Sequence, residues 1–220
     1  LISERLQIII YTKDKYWEKR VKKLLPHAHV TANFGSNKYK TPILKNMFLD
    51  SFKIVNDAFF YAYINADILL DVSFVNTLKA LQLAIFSNKL DSDRIFLTGR
   101  RRNFELKNKN IMQQSIDGDR MYFVSLFKKI YLNASLFAVN AQDYFVVTKN
   151  TFDWHAMPPF IIGRPAYDNC LVQKALKDDS IISIDGSLTV YAIHQTGSDG
   201  NYAGLKRKSV DYNHNYYYCR

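Results

Sequence analysis

Ala58-Phe59-Phe60-Tyr61-Ala62-Tyr63-Ile64 runs without a break into Asn65-Ala66-Asp67. A short apolar run rich in aromatic rings predicts a strand, and this is the strongest such run in the chain. Ligands of open α/β sheets sit beyond the carboxyl ends of the strands. Here that end is a small polar turn closed by a carboxylate. Asp67 is therefore placed for a divalent cation that bridges phosphate oxygens. It is placed equally well to cap the helix that follows.

Outward from this stretch the chain alternates between two periods. On the N-terminal side, Gln7 to Tyr11 (QIIIY) is a continuous apolar run, predicting a strand buried on both faces. Lys15 to Leu25 reads as a basic helix ended by Pro26, and Val30 to Phe34 as a short strand. Thr41 then caps a helix with Pro42 in its first turn, and Leu44, Met47, Phe48, Phe52 and Val55 fall on one face. On the C-terminal side, Ser73 to Phe86 is an amphipathic helix with Phe74, Leu78, Leu81 and Ile85 as its stripe. Arg94 to Thr98, Tyr144 to Thr148 and Leu188 to Ile193 read as strands, and Asp117 to Tyr131 and Tyr167 to Leu176 as helices. Residues 103–142 are otherwise irregular. The alternation predicts an α/β sandwich with a largely parallel sheet. No repeat or linker divides it, so residues 1–200 are expected as one domain, with 201–220 a polar, Tyr-rich tail or closing loop.

Length and composition agree with one α/β domain: 220 residues, 48% hydrophobic and 23% charged, exclude a disordered chain. Eight glycines and five prolines exclude a collagenous one. No apolar run approaches the roughly 18–20 residues that span a bilayer as a helix. The chain starts at Leu1 and shows no signal peptide, the pattern expected of an excised domain. Its two cysteines, Cys170 and Cys219, lie far apart and are expected as buried or free thiols. The sequon Asn133-Ala134-Ser135 carries weight only in a secretory lumen.

The 30 Lys and Arg against 20 Asp and Glu give a net charge of +10. Basic residues concentrate at Lys13 to Lys23, Arg100-Arg101-Arg102 and Lys206-Arg207-Lys208. Such a surface attracts nucleic acid, anionic lipid heads or a diphosphate-bearing substrate, and charge alone does not choose among them.

Two further residues carry chemistry. His194 ends the last expected strand; it is either a hydrogen-bonded core residue or a partner of Asp67 in a site suited to manganese. Asp168 lies in Gly163-Arg164-Pro165-Ala166-Tyr167-Asp168-Asn169, a turn-rich entry to a helix, and is either a helix cap or a general base. Arg100 or Arg101 would stabilise a leaving diphosphate. Asp143 and Tyr144 could line an acceptor side, Asp143 serving equally as an ordinary strand start.

The order of these pieces resembles the nucleotide-sugar glycosyltransferases of the GT-A fold, most closely the family 2-like group. The resemblance runs from about Gln7 to Asn213. It is carried by Asn37-Lys38-Tyr39-Lys40-Thr41-Pro42, Tyr63-Ile64-Asn65-Ala66-Asp67-Ile68, Thr98-Gly99-Arg100-Arg101, Gln142-Asp143-Tyr144-Phe145, the run Pro158 to Leu171, and Ile193-His194-Gln195-Thr196-Gly197.

It implies a Rossmann-like mixed sheet with helices on both faces, and an activity: metal-dependent transfer of a sugar from a nucleotide-diphospho-sugar to a glycan or other hydroxyl acceptor. Asn65-Ala66-Asp67 then occupies the place of the family's Asp-x-Asp motif, with Asp67 and His194 on Mn2+ or Mg2+. Asn65 replaces a carboxylate and leaves a hydrogen-bonding group for ribose or sugar hydroxyls. Asp168 is the base of an inverting reaction, with Asn169 beside it in the acceptor pocket and Gln195 among the substrate-binding residues. Cys170 stands where many relatives carry Trp. Gln7 to Tyr11 matches the second strand of the fold, leaving the first strand without a counterpart.

Two other readings stand beside the enzyme. One is a catalytically inactive GT-A-like domain that binds a glycan or a partner. The other is a polyanion-binding protein driven by the basic surface, whose affinity would fall steeply with salt. No nucleic-acid-binding motif supports a nucleic-acid partner, while the basic patches leave room for membrane-surface association. A bacterial protein of this kind would be cytoplasmic or membrane-peripheral, a eukaryotic one would face the Golgi lumen. The sugar, nucleotide base, acceptor, stereochemistry and oligomeric state are not encoded in any motif.

Overall fold

A computed structural model describes residues 6–105, 120–196 and 209–219. The segment 201–208 of the expected tail or closing loop, Gly197 and the start of the helix expected from Asp117 lie outside the described residues. The chain divides into two compact units, Leu1–Ala58 with Asp153–Gly163, and Phe59–Phe152 with Arg164–Arg220.

In the first unit β1 (Ile9–Tyr11) pairs in parallel with β2 (His29–Thr31), the crossover being α1 (Lys15–Leu24). The Asp14 carboxylate caps α1 by accepting from the N–H groups of Tyr16 and Trp17. The expectation that Gln7 to Tyr11 is buried on both faces is corrected, since Ile9, Ile10 and Tyr11 are only half-buried. Among the described residues their strand has β2 as its one ladder partner.

The helix expected from Thr41 begins later, as α2 (Leu44–Ile54), with no side-chain cap. Pro42 and Ile43 are held in extended bridges to Ser36 and Ile161, and backbone paired in that way cannot be the first turn of a helix. The apolar face is as expected: Leu44, Phe48 and Phe52 are buried, and Phe48 stacks on Trp154 with centroids 4.1 Å apart.

The second unit holds two four-stranded sheets. One runs in the order β3 (Tyr61–Ile64), β8 (Tyr144–Val147), β5 (Ile95–Thr98), β9 (Ile182–Asp185). The other runs β4 (Ile68–Leu70), β10 (Ala192–Thr196), β6 (Arg102–Glu105), β7 (Ser135–Leu136). Each sheet has one parallel pair, β5 with β9 and β6 with β10, and its other pairs are antiparallel. The protein is therefore α/β with mixed sheets, and the expectation of a largely parallel sheet is corrected. Tyr144 to Val147 shows why: all four residues are buried, yet both neighbouring strands are antiparallel. A continuous apolar run reports cover on both faces and says nothing of strand direction.

Helices α3 (Val72–Phe86), α4 (Arg120–Asn133) and α5 (Tyr167–Leu176) complete the unit. Asp71, not Asp67, caps α3, its carboxylate accepting from Ser73 N–H at 3.0 Å. Phe74, Leu78 and Leu81 of α3 pack with Ile68, Leu97, Tyr144, Val146, Val190 and Ala192 in one core cluster. The last strand is displaced from the expected Leu188 to Ile193. Residues 186–190 form a turn in which the N–H groups of Thr189 and Val190 donate to the Gly186 carbonyl, and Leu188 is exposed. His194 is consequently inside β10 rather than at its end.

The cysteines are also corrected. Cys170 and Cys219 form a disulfide with Cα atoms 5.3 Å apart, across a sequence separation of 49. The C-terminal segment returns to the start of α5: Arg164 Nε pairs with the Asp211 carboxylate at 2.6 Å, and the Asn215 amide donates to the carbonyls of Arg164 and Pro165. That return is invisible in cysteine spacing.

Candidate functional site

Polar side chains gather where the chain of the second unit leaves one sheet for the other. Residues 65–67 are the turn from β3 to β4, closed by Ile68 N–H donating to the Asn65 carbonyl at 3.1 Å. Residues 99–101 join β5 to β6, Asp143 immediately precedes β8, and His194 belongs to β10. Gly99 is required by close approach, because a Cβ there would meet the Tyr144 hydroxyl at 2.3 Å.

Asp67 and His194 meet directly, Oδ2 to Nε2 at 3.1 Å, and Gln195 N–H donates to the Asp67 carbonyl at 3.0 Å. The His194 side chain is 9% exposed and that of Asp67 is 52% exposed, so the pair has a buried end and an open end. Among the described residues His194 Nδ1 is buried without a hydrogen-bond partner, which favours the ring meeting the carboxylate as a donor through Nε2. Burial works against charge on Asp67, but the hydrogen bond and charge of His194, helped by Arg101, hold its pKa below the usual carboxylate value.

Beside this pair lies a second, better-covered cluster. Asp143 Oδ2 forms an ion pair with Arg101 Nε, the two side chains being 15% and 4% exposed. Its Oδ1 accepts from the Asn65 amide at 2.7 Å, and its carbonyl accepts from Asn65 N–H at 2.9 Å. Asn65 Oδ1 in turn accepts from the Tyr63 hydroxyl at 2.7 Å, and Tyr63 is hydrogen-bonded to the Tyr167 hydroxyl. Burial raises both tyrosine pKa values far enough to keep them protonated donors. Arg101 also donates to Asn103 Oδ1 at 2.5 Å and lies over the Phe137 ring at 4.4 Å. Burial raises the Asp143 pKa against the pull of Arg101 and His194.

Asp168 occupies the first turn of α5, following Tyr167 of that chain of hydroxyls. Burial raises its pKa, opposed by the backbone N–H groups of Asn169 and Gln142, while the charge of Asp143 adds to the rise. Asn169 is exposed, its amide 3.3 Å from Asp168 Oδ1. Ala166, just before α5, has φ 78°, a left-handed conformation costly to a residue with a Cβ. The hydrogen bonds from Asn215 to Arg164 and Pro165 hold the turn there.

Asn65, Asp67, Arg101, Asp143 and His194 are thus brought together, with Asp168 coupled through Asp143 and Gln195 through its backbone. Arg100 stands apart: its guanidinium donates to the Phe137 carbonyl from Nε at 3.0 Å and Nη2 at 2.5 Å, and it lines a cavity of about 280 Å³ with Thr98, Gln142, Val172, Leu176 and Asp185. Tyr144 is fully buried, its ring edge-on to Phe74, and its place is in the core. Sequence reasoning missed Tyr63 and Tyr167. The signal for Tyr63 was available, since residues two apart on a strand share a face and Asn65 follows it by two.

Among the described residues, no group of three or more His, Cys, Asp or Glu side chains is arranged to hold a metal ion. Asp67 and His194 offer one oxygen and one nitrogen donor. No family model, curated protein or solved structure matches the chain.

Proposed function

We propose that this chain is a GT-A-fold glycosyltransferase domain that transfers a sugar from a nucleotide-diphospho-sugar to an acceptor hydroxyl. The observation that carries the reading is the meeting of Asp67 and His194, 127 positions apart, at 3.1 Å beside a buried Arg–Asp pair. An open carboxylate next to an imidazole suits a divalent ion, Mn2+ or Mg2+, which Asp67 and His194 would hold. Such an ion supplies positive charge for the leaving diphosphate.

The chain's own residues do the rest. Arg101 balances the Asp143 carboxylate, so the site keeps a neutral pair beside the charge of Asp67. Asn65 has both side-chain atoms engaged, by Asp143 and Tyr63, and fixes the turn that presents Asp67. Asp168, with its pKa raised by burial, is suited to take the proton of the acceptor hydroxyl, which favours an inverting displacement. A second reading, a GT-A-like domain that binds its ligand without turnover, draws on the two-residue donor set and the direct Asp67–His194 hydrogen bond.

The test is thermal stabilisation by a panel of nucleoside diphosphates and nucleotide sugars, with and without manganese, on the wild type and Asp67→Ala. Binding to the native state raises the midpoint by mass action without turnover. Manganese-dependent stabilisation by one nucleotide, lost in Asp67→Ala, is expected. Release of sugar from that donor then separates the enzyme from the binding domain. A panel with no shift removes the enzyme reading for this chain.

A further inference from the structure

Two features play no part in the Asp67–His194 site. One is the Asn133-Ala134-Ser135 triplet, the other the Cys170–Cys219 bond. Asn133 is the last residue of α4 and is exposed, its amide donating only to the Lys129 carbonyl of its own helix, at 2.8 Å. Ala134 is buried, with its carbonyl accepting from Arg102 Nη1 at 2.8 Å. Ser135 is exposed and paired with Asn103 in the β6–β7 ladder. The middle of the triplet is therefore anchored while the acceptor asparagine and the hydroxyl two residues on both face outward.

Register places this triplet at the rim of the sheet that carries His194. Ile68, His194, Asn103 and Ser135 form one row across it. Ser135 is two strands from His194, about 10 Å at the usual strand spacing. Among the described residues β7 ends the sheet, and no strand pairs with its outer side. An open edge of this kind invites pairing with other chains unless something bulky or charged covers it.

The disulfide is the independent observation. Its formation removes two electrons and two protons from a pair of thiols and persists where a thiol-oxidising system is present. The described residues contain no other cysteine. The compartments that supply such oxidation in eukaryotic cells are also those in which exposed Asn-x-Ser triplets are modified.

We propose that Asn133 carries an N-linked glycan, attached in the oxidising lumen where Cys170 and Cys219 pair, and that the glycan covers the β7 edge. The Asn133 Nδ2 forms a bond to C1 of an oligosaccharide carried on a polyprenyl diphosphate. The C1–oxygen bond breaks, the diphosphate leaves with the electron pair, and one amide proton passes to solvent. This inference does not depend on the glycosyltransferase reading, and its failure would leave that reading untouched.

The experiment uses protein isolated from the cells that make it, alkylated without reduction and digested. Treatment with peptide-N-glycosidase in 18O-water is expected to leave 18O-labelled Asp at position 133. The peptides of Cys170 and Cys219 are expected to be cross-linked. An unmodified Asn133 overturns the proposal whether or not the disulfide has formed, and alkylated thiols at both cysteines overturn it as well. Two variants made in the secretory pathway of a eukaryotic host sharpen the result: Ser135→Ala is expected to lose the glycan and Ser135→Thr to keep it, with unchanged thermal midpoints in both after deglycosylation. Retention of the glycan in Ser135→Ala overturns the assignment to Asn133.

Discussion

The two sheets of the second unit have the same number of strands and opposite characters. In the β3-β8-β5-β9 sheet the inner strands bury Ile95, Phe96, Leu97 and every residue from Tyr144 to Val147. In the β4-β10-β6-β7 sheet the inner strands carry His194 and Asn103, Arg102 reaches the Ala134 carbonyl, and both residues of β7 are exposed. The first is apolar across its inner strands, whereas the second sets polar side chains beside buried Ala192 and Ile193. The candidate site lies along the connections between them, where a rigid apolar strand end meets backbone and side chains free to hydrogen-bond. That division assigns stability to one sheet and chemistry to the other, and it can be broken.

The largest effect is expected at the ion pair that spans the division. Arg101→Ala leaves the Asp143 carboxylate covered and unpaired, a loss of about 3–5 kcal/mol by analogy with other buried pairs. Chemical denaturation measures it, and the double variant Arg101→Met with Asp143→Leu is expected to recover most of the loss. A small loss in Arg101→Ala would mean that water reaches Asp143 and that the site is open to its floor.

Next comes the contrast between the sheets themselves. Leu97→Ala, in the buried strand β5, is expected to cost about 2–5 kcal/mol, whereas Leu136→Ala on the exposed β7 should stay within about 0.5 kcal/mol. Equal costs would show that β7 is covered by something that this division does not include.

The smallest effect is a pH dependence at Asp67. Its pKa is lowered in the folded protein, so the stabilisation is present above the unfolded carboxylate value of about 4 and is lost as pH falls through the lowered value. Half-exposed, the pair is worth under about 1 kcal/mol. Between about pH 5 and pH 3 the wild type should lose more stability than Asp67→Asn. Parallel curves would show that His194 does not favour the ionised carboxylate.

Much of this site is legible along the chain. Asp67 closes the turn after the most aromatic strand, Asp168 sits in the first turn of a helix whose bounds Tyr167–Leu176 are read correctly, and His194 lies in the last strand. The parts that are not legible have physical causes. β6, β7 and β9 are two to four residues long and lack the continuous apolar run that marks β5 and β8. Arg100 and Arg101 are adjacent and alike in sequence, yet one donates to the Phe137 carbonyl and the other pairs with Asp143.

Local chemistry in the sequence determined the α/β alternation, the apolar faces of the helices, and the residue types able to bind a cation or move a proton. Those depend on neighbours within a turn or a pleat. The tertiary structure alone decided that the sheets are mixed, that Tyr144 is core, that Cys170 meets Cys219, and that Asp67 and His194 come within hydrogen-bonding distance. Each of these depends on contacts between residues far apart in the chain, and such contacts are set by packing the apolar faces together rather than by any residue's own preference.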